Sequence, residues 1–159
     1  MKWIIVATLA LAALPVAAAD PTLNPGLQES RTAAGRFYSS ALTQEKNFPF
    51  SDVVQTRSGL VFLSGLVGTD VEGELVKGGV ESQTHAIFRQ MTSHLDQLGL
   101  GLEDVVKCLV MIDDINQWGR FNEVYTTYFK LPYPARSAFG ADGLALGAAL
   151  ELECTAVAR

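Results

Sequence analysis

The chain has 159 residues, of which 48% are hydrophobic, and a net charge of −5. This length predicts one domain that is large enough to bury a substantial core. The acidic balance and the lack of any basic run exclude a nucleic-acid backbone or an anionic membrane surface as the expected partner.

The first 19 residues have the features of a secretory signal peptide. A short basic start over 1–3 precedes an apolar run over 4–14, and residues 17–19 are all alanine. This order of a basic, an apolar and a small-residue segment is typical of exported proteins. The whole segment also contains Pro15 and is short for a membrane-spanning helix. We therefore expect cleavage before Asp20 and a periplasmic or secreted mature chain that is not bound to a membrane.

Residues 20–47 show no sustained periodicity and are rich in proline, glycine and polar residues. We predict that they form an N-terminal arm that is partly ordered at best. The remaining residues, 48–159, are predicted to form the folded domain. Without Lys2 the mature chain has 11 basic and 17 acidic residues, so its net charge is −6.

From residue 48 onward the predicted elements alternate regularly. The first two strands are separated by the turn signal Ser58-Gly59, and a glycine-rich loop without a phosphate-binding pattern follows. The helices show the apolar spacing of one buried face, and prolines end the second helix. The predicted strands are 53–57, 60–64, 105–112, 135–139 and 150–158, and the predicted helices are 80–98 and 115–129.

These elements predict an α+β fold in which two helices cover one face of a single mixed sheet. The uncovered face should then carry polar side chains. It does not, because both sets of alternating residues in the strands over 60–64 and 105–112 are largely apolar. A sheet that is apolar on both faces predicts an oligomer in which another subunit covers the second face.

The four cysteine and histidine residues give no sign of a metal or redox site. Cys108 and Cys154 each lie in an apolar strand, and we interpret them as buried unpaired thiols rather than as a disulfide. His85 and His94 are nine residues apart and therefore lie on opposite faces of one helix. They are predicted to be solvated, and we expect no metal ion.

A few charged residues interrupt the last two strands and are the candidates for chemistry. The guanidinium of Arg136 suits a carboxylate, which it can hold by two parallel hydrogen bonds. Glu151 and Glu153 share the face of the final strand opposite its apolar residues. Burial of such a glutamate is costly unless it is paired or functional. A structural Arg–Glu ion pair is the alternative interpretation.

Five motifs, in order, resemble those of the RidA (YjgF) family. Phe62–Gly65 is similar to its "SG" strand end, and Asp104–Lys107 to its "DVVK" strand start. Phe121–Tyr125 resembles its "NxxY" helix. Pro134–Ser137 matches its "PARS" signature, and Leu150–Glu153 its closing "IEIEA" strand. The similarity covers about residues 48–159.

The resemblance implies a chorismate-mutase-like subunit, a homotrimer and a pocket at each subunit interface. It implies hydrolysis of reactive enamines and imines, such as 2-imino acids, to 2-keto acids and ammonia without a cofactor. Arg136 corresponds to the arginine that binds the substrate carboxylate, and Glu151 to the acid that positions and activates water. Ser64, Gly65 and Asn122 correspond to residues that line the pocket.

Two positions depart from the family pattern. Phe50 stands where a tyrosine is common, which removes one hydroxyl from the expected pocket. Ala138 stands where a cysteine is frequent, a mild change if only the backbone amide is used. Two other functions stay open: a non-catalytic trimer that binds small carboxylates or acts as a holdase, and a hydrolase with another substrate, including a ribonuclease.

Overall fold

The computed structural model describes residues 26–158, and the predicted signal peptide lies outside them. Seven strands form one sheet, which three helices accompany. The strands are β1 Gln28–Arg31, β2 Gly35–Ser39, β3 Val53–Thr56, β4 Leu60–Val67, β5 Val105–Ile112, β6 Ala135–Gly140 and β7 Leu150–Val157. The helices are α1 Ala41–Glu45, α2 Gly79–Gln97 and α3 Trp118–Tyr128, with short 3₁₀ turns at Leu102–Asp104, Ile115–Gln117 and Ala145–Gly147.

The strand order across the sheet is β1-β2-β3-β4-β7-β5-β6. The last strand of the chain, β7, is inserted between β4 and β5 and is antiparallel to both. β5 and β6 are parallel, and α3 lies in the connection between them. The prediction of an α+β fold with one mixed sheet is therefore confirmed, as are its two main helices.

The segment before residue 48 has more structure than the sequence predicted. β2 pairs with β3 along the edge of the sheet, and β1 pairs with β2. Gly35 is needed for this pairing, because a Cβ atom there would lie 2.1 Å from the Gln55 carbonyl oxygen. The side chains of β1 are all exposed, so this strand has none of the alternation from which a strand is predicted. The sequence predicted an arm that is partly ordered at best, whereas the structure has two paired strands and a short helix within residues 28–45.

The core lies between one sheet face and the helices α2 and α3. In β7 the residues Leu150, Leu152, Cys154 and Ala156 are buried, and the residues between them are not. The apolar face of α2 packs on them through Val80, Ile87, Phe88, Met91 and Leu95, each at most 2% exposed. This alternation fixes which side of β7 each residue occupies, and it places Glu151 on the side away from the helices.

The opposite sheet face keeps large apolar side chains in contact with solvent. Leu60, Phe62, Val106 and Val157 are 37–46% exposed, and Phe62 is the neighbour of Thr155 across the strand pair. Apolar side chains clustered on one face in this way are typical of an association surface. The oligomer predicted from the sequence would cover this face.

Cys108 and Cys154 form a disulfide between β5 and β7, so the interpretation of unpaired thiols is wrong. The two residues are direct partners in the antiparallel register. Both are almost completely buried. Their apolar surroundings led to the wrong interpretation, because a buried disulfide and two buried thiols occupy equally apolar strands. Pairing depends on a register that the sequence alone does not give.

The two histidines are also less exposed than predicted. His94 is only 5% exposed, and its Nδ1 atom has no hydrogen-bond partner within residues 26–158. Burial lowers the pKa of His94, and the nearby Asp52 opposes this shift. His85 is part-buried and shares a hydrogen bond of 2.8 Å between its Nδ1 and the Tyr128 hydroxyl.

Within residues 26–158, no helix is long and apolar enough to cross a membrane.

Candidate functional site

Arg136 lies on the edge strand β6 with its guanidinium over aromatic rings of α3. Its Cζ atom is 4.5 Å from the ring centre of Tyr125, 4.6 Å from that of Trp118 and 5.5 Å from that of Phe121. A cation above a ring face is attracted by the negative charge density of the π system. The position of Arg136 opposite the buried Cys108 turns its side chain toward the helices.

The guanidinium of Arg136 forms no hydrogen bond or ion pair with any residue of the described segment. The ion pairs found there are Arg31–Glu29 and Arg120–Glu81, both at the surface. No Arg–Glu pair involving Arg136 therefore exists within the described segment, and the alternative interpretation of such a pair at a subunit interface stays a prediction. The donors of its guanidinium remain available to a ligand.

A cavity of about 330 Å³ opens beside Arg136. Its walls come from α3 and from the segment that leads into β6: Asn122, Tyr125, Thr126, Tyr133, Pro134 and Arg136. The structure thus brings together two of the predicted site residues, Arg136 and Asn122. Tyr125 and Tyr133 were not predicted as site residues. Tyr125 is the tyrosine of the NxxY motif, for which the sequence indicated no role in the site.

Tyr125, one of the residues that line this cavity, has a buried hydroxyl. The residue is 3% exposed, and its oxygen has no hydrogen-bond partner among the described residues. Burial raises the pKa of this phenol, and the charge of Arg136 acts in the opposite direction. The hydroxyl is therefore neutral and keeps its proton as a donor at physiological pH.

Glu151 lies on β7 at the other face of the sheet, against Gly65 of β4. A Cβ atom at Gly65 would lie 1.9 Å from the Glu151 Oε1 atom, so a side chain at this position would displace the carboxylate from its present place. Burial raises the pKa of Glu151, and the neighbouring charge of Glu153 raises it further. A raised carboxyl pKa is the property that acid–base chemistry near neutral pH requires.

Ser64 and Phe50 lie near one another through the loop before β3. The Ser64 hydroxyl donates to the Ser51 carbonyl at 2.7 Å, and its backbone N–H donates to the Asp52 carbonyl at 3.0 Å. The ring of Phe50 stacks on that of Phe48 with 5.5 Å between the ring centres, and Phe50 is 49% exposed. The structure therefore joins Phe50 and Ser64 to the Gly65–Glu151 contact rather than to Arg136.

The predicted site residues form two separate groups within one chain. Arg136 is level with Cys108 on β5 and with Cys154 beyond it, whereas Glu151 is level with Met111. β5 therefore lies between the strands of these two residues, and Glu151 is three residue positions away from Arg136 along the strand direction. Their side chains lie on opposite faces of the sheet. Ala138 shares the Arg136 side of β6 and is exposed.

A larger cavity of about 460 Å³ lies where β2 meets the turn after β3. Its walls include two arginines, Arg36 and Arg57, but none of the predicted site residues. Both arginines are exposed. We place the candidate site at the smaller cavity, because its lining includes both Arg136, whose guanidinium is unpaired, and Tyr125, whose buried hydroxyl has no partner among the described residues. Within residues 26–158, no group of three or more His, Cys, Asp or Glu residues could hold a metal ion.

Comparison with known proteins gives the same family as the sequence motifs. The family model described as Endoribonuclease L-PSP matches residues 40–158. A mouse protein named 2-iminobutanoate/2-iminopropanoate deaminase is 36% identical over 69% of this chain and 81% of its own. The crystal structure of RidA from the Antarctic bacterium Psychrobacter sp. PAMC 21119 superposes with a TM-score of 0.66 at 31% identity, covering 69% of this chain and 89% of the other.

The chain belongs to the RidA family. A chloroplast relative in Arabidopsis thaliana, named Reactive Intermediate Deaminase A, is 38% identical over 68% of this chain. The match spans 58% of that longer relative. Imine deamination is thus a named activity within the family, and the RidA fold accounts for the order of elements from β3 to β7.

Proposed function

We propose that this RidA-family protein hydrolyses 2-imino acids, and the enamines in equilibrium with them, to 2-keto acids and ammonia. One observation carries the proposal: the guanidinium of Arg136 is oriented by aromatic rings but is bound to no carboxylate of the described chain. An arginine with unoccupied donors at the wall of a cavity suits a small carboxylate ligand. The deaminase names of the relatives support the same substrate class.

The reaction needs few groups. Arg136 would hold the substrate carboxylate by two hydrogen bonds and thereby orient the C=N bond. Water adds to the imine carbon, and a tetrahedral carbinolamine forms. Glu151 would take a proton from the attacking water and give it to the imine nitrogen, which yields the neutral carbinolamine. It would then carry the carbinolamine hydroxyl proton to the same nitrogen, so that the C–N bond breaks, the carbonyl forms and ammonia leaves. One imine and one water thus give one ketone and one ammonia, with no cofactor.

We propose that the working form is a homotrimer whose site lies between two subunits. Within one chain Arg136 and Glu151 face opposite sides of the sheet, so one substrate cannot contact both. A second copy against the exposed apolar face would bring its own residues to the first. Ser64, Gly65 and Asn122 would line the completed pocket, and the family resemblance supports this arrangement.

The two departures from the family pattern bear on rate rather than on reaction type. Phe50 adds an aromatic surface without a hydroxyl, so the site has one donor fewer at that position. We expect slower turnover than in a relative with tyrosine at this position, or a different substrate preference. Ala138 can still contribute its backbone amide, so its effect should be small.

We also propose that the protein acts outside the cytoplasm, after cleavage before Asp20. The buried disulfide supports this compartment, because disulfides persist in oxidising surroundings and are rare in the cytosol. N-terminal sequencing of protein from the periplasmic or culture fraction tests the proposal. A mature protein that still begins at Met1 would contradict it.

An amino-acid oxidase that generates 2-imino acids provides the test of activity. With purified protein present, the 2-keto acid should form faster than by spontaneous hydrolysis. The variant Arg136→Ala is the matched control and should return the rate to the spontaneous one. An equal rate with and without the wild-type protein would contradict the deaminase proposal.

A carboxylate-binding protein without catalysis is the second candidate. The separation of Glu151 from Arg136 within one chain favours it, because a binder needs only the arginine group. Binding of a 2-keto acid without imine hydrolysis would identify this function. A ribonuclease has less support, because the mature chain carries six more acidic than basic residues and would repel a phosphate backbone.

A further inference from the structure

The cation–π contacts found within residues 26–158 all converge on one side chain, Arg136. Such contacts occur roughly once per 70–80 residues in proteins. Three of them at one guanidinium are therefore more than core packing needs. Trp118, Phe121 and Tyr125 recur at helical spacing on α3 and form what we call the aromatic cradle. The Arg136 guanidinium lies on this cradle.

Core packing accounts for two of the three rings. Phe121 is completely buried, and Tyr125 is 3% exposed. Trp118 is different, because it is only half-buried and stands at the first residue of α3. Its indole contacts the Phe121 ring at 5.4 Å on one side and the Arg136 guanidinium at 4.6 Å.

An aromatic support has a chemical advantage over an acidic one. A carboxylate partner would occupy the in-plane N–H donors of the arginine and compete with a carboxylate ligand. A ring attracts the guanidinium through its face and leaves these donors unoccupied. Support by rings therefore fixes the place of the charge without satisfying its hydrogen bonds.

We propose that Trp118 is the positioning residue for Arg136, and that the aromatic cradle sets the preference of this cavity for ligands with a free carboxylate. This inference rests on the proposed role of Arg136 in binding the substrate carboxylate. Trp118 acts through the arginine and contacts neither the imine carbon nor the attacking water. Its loss should allow Arg136 to sample more rotamers, which weakens carboxylate binding.

The test uses two probes that differ in charge and by one methyl group: 2-ketobutanoate and its uncharged methyl ester. Calorimetry should show that Trp118→Leu weakens binding of 2-ketobutanoate roughly tenfold, within the range of a partly desolvated cation–π contact. Weak binding of the ester should not change. Trp118→Phe keeps a ring and should recover most of the affinity. In turnover assays Trp118→Leu should raise KM more than it lowers kcat.

Tyr128→Leu is the matched control. Tyr128 lies on the same helix, is half-buried and stacks on Phe88 at 4.3 Å, but it has no contact with Arg136. This variant should melt at a lower temperature and bind 2-ketobutanoate as the wild type does. An equal loss of affinity in both variants would mean that Trp118 has a general structural role and would overturn the inference.

Each of the remaining outcomes also contradicts the inference, the proposed function or both. Unchanged 2-ketobutanoate binding in Trp118→Leu overturns the inference while leaving the proposed deaminase intact. If Trp118→Leu does not fold, Trp118→Phe decides: it should keep most of the 2-ketobutanoate affinity with ester binding unchanged, and an equal loss of affinity for both probes would overturn the inference. A wild-type protein that binds 2-ketobutanoate but hydrolyses no imine contradicts the proposed catalysis alone. A wild type that binds neither probe overturns both.

Discussion

Arg136 and Glu151 are similar in sequence context, since each charged residue interrupts an apolar strand, but their surroundings in the fold differ. Arg136 lies over aromatic rings with its donors unoccupied. Glu151 lies against a glycine with its pKa raised by burial and by Glu153. The first environment suits a fixed positive charge, and the second suits a group that gains and loses a proton.

Arg136→Lys tests whether the planar guanidinium is needed. Lysine keeps the positive charge but can neither stack on the cradle as a plane nor form two parallel hydrogen bonds. We expect 2-ketobutanoate binding to weaken by about 2 kcal/mol, the lower end for a buried charge pair because Arg136 is only partly buried. Calorimetry measures this loss. Equal affinity of the two proteins would show that charge alone suffices.

Glu151→Gln separates binding from proton transfer. Glutamine has nearly the same shape and can still lie against Gly65, but it has no proton to exchange. Binding of 2-ketobutanoate should therefore remain, while imine hydrolysis should fall by roughly 10²-fold or more, as expected for loss of a general acid–base group. Wild-type hydrolysis by this variant would remove Glu151 from the mechanism.

The raised pKa of Glu151 also has a consequence for stability. The folded chain binds this proton more tightly than the unfolded chain, so stability falls as pH rises through the window above the ordinary carboxyl pKa of 4.5. Glutamine does not titrate, so Glu151→Gln lacks this contribution to the pH dependence of stability. Its melting temperature should therefore decline less than that of the wild type between about pH 4 and pH 7. Parallel melting curves for the two proteins would contradict the assignment.

At the scale of the elements, the disulfide joins the two strands that lie at the centre of the core. Its sequence separation is 46 residues, and closing a loop of this length restricts the unfolded chain. We expect the reduced wild type to lose about 2–4 kcal/mol of stability, measured by denaturant unfolding with and without a reductant. A double variant with alanine at Cys108 and Cys154 is the control, because its stability should not respond to the reductant.

Prediction from sequence succeeded where a pattern is local and repeated. The apolar spacing of α2 and the alternation of β7 define their buried faces without any knowledge of partners. Prediction failed for β1, an edge strand whose side chains are all exposed, and for β2, whose buried and exposed residues do not alternate. It also failed for Cys108 and Cys154, whose contact depends on inserting β7 beside β5.

The candidate site shows the same division. Arg136, Glu151 and Asn122 could be named from motifs, and the cavity indeed joins Arg136 to Asn122. No motif showed that Arg136 and Glu151 would face opposite sides of the sheet, because that follows from strand order. Neither helical spacing nor the motif over Phe121–Tyr125 indicates that the rings of Trp118 and Tyr125 lie against the Arg136 guanidinium.

At the scale of the whole molecule, the exposed apolar face should be covered by other subunits. Light scattering of the mature chain should therefore give three times the mass of a single chain. Phe62→Lys places a charge on this face and should shift the protein toward monomers. Val71→Lys is the control, because Val71 is similarly exposed but lies in a loop. A wild-type monomer at micromolar concentration would contradict the trimer.

The placement of Arg136 and Glu151 on opposite faces has a kinetic consequence for the proposed two-subunit site. If each site needs two copies of the chain, the fraction of complete sites depends on the subunit dissociation constant. Rate per milligram should then be constant at high protein concentration and decline once dilution passes that constant. Activity and mass measured over one dilution series should fall together, and an exported enzyme would face such dilution wherever it leaves the cell.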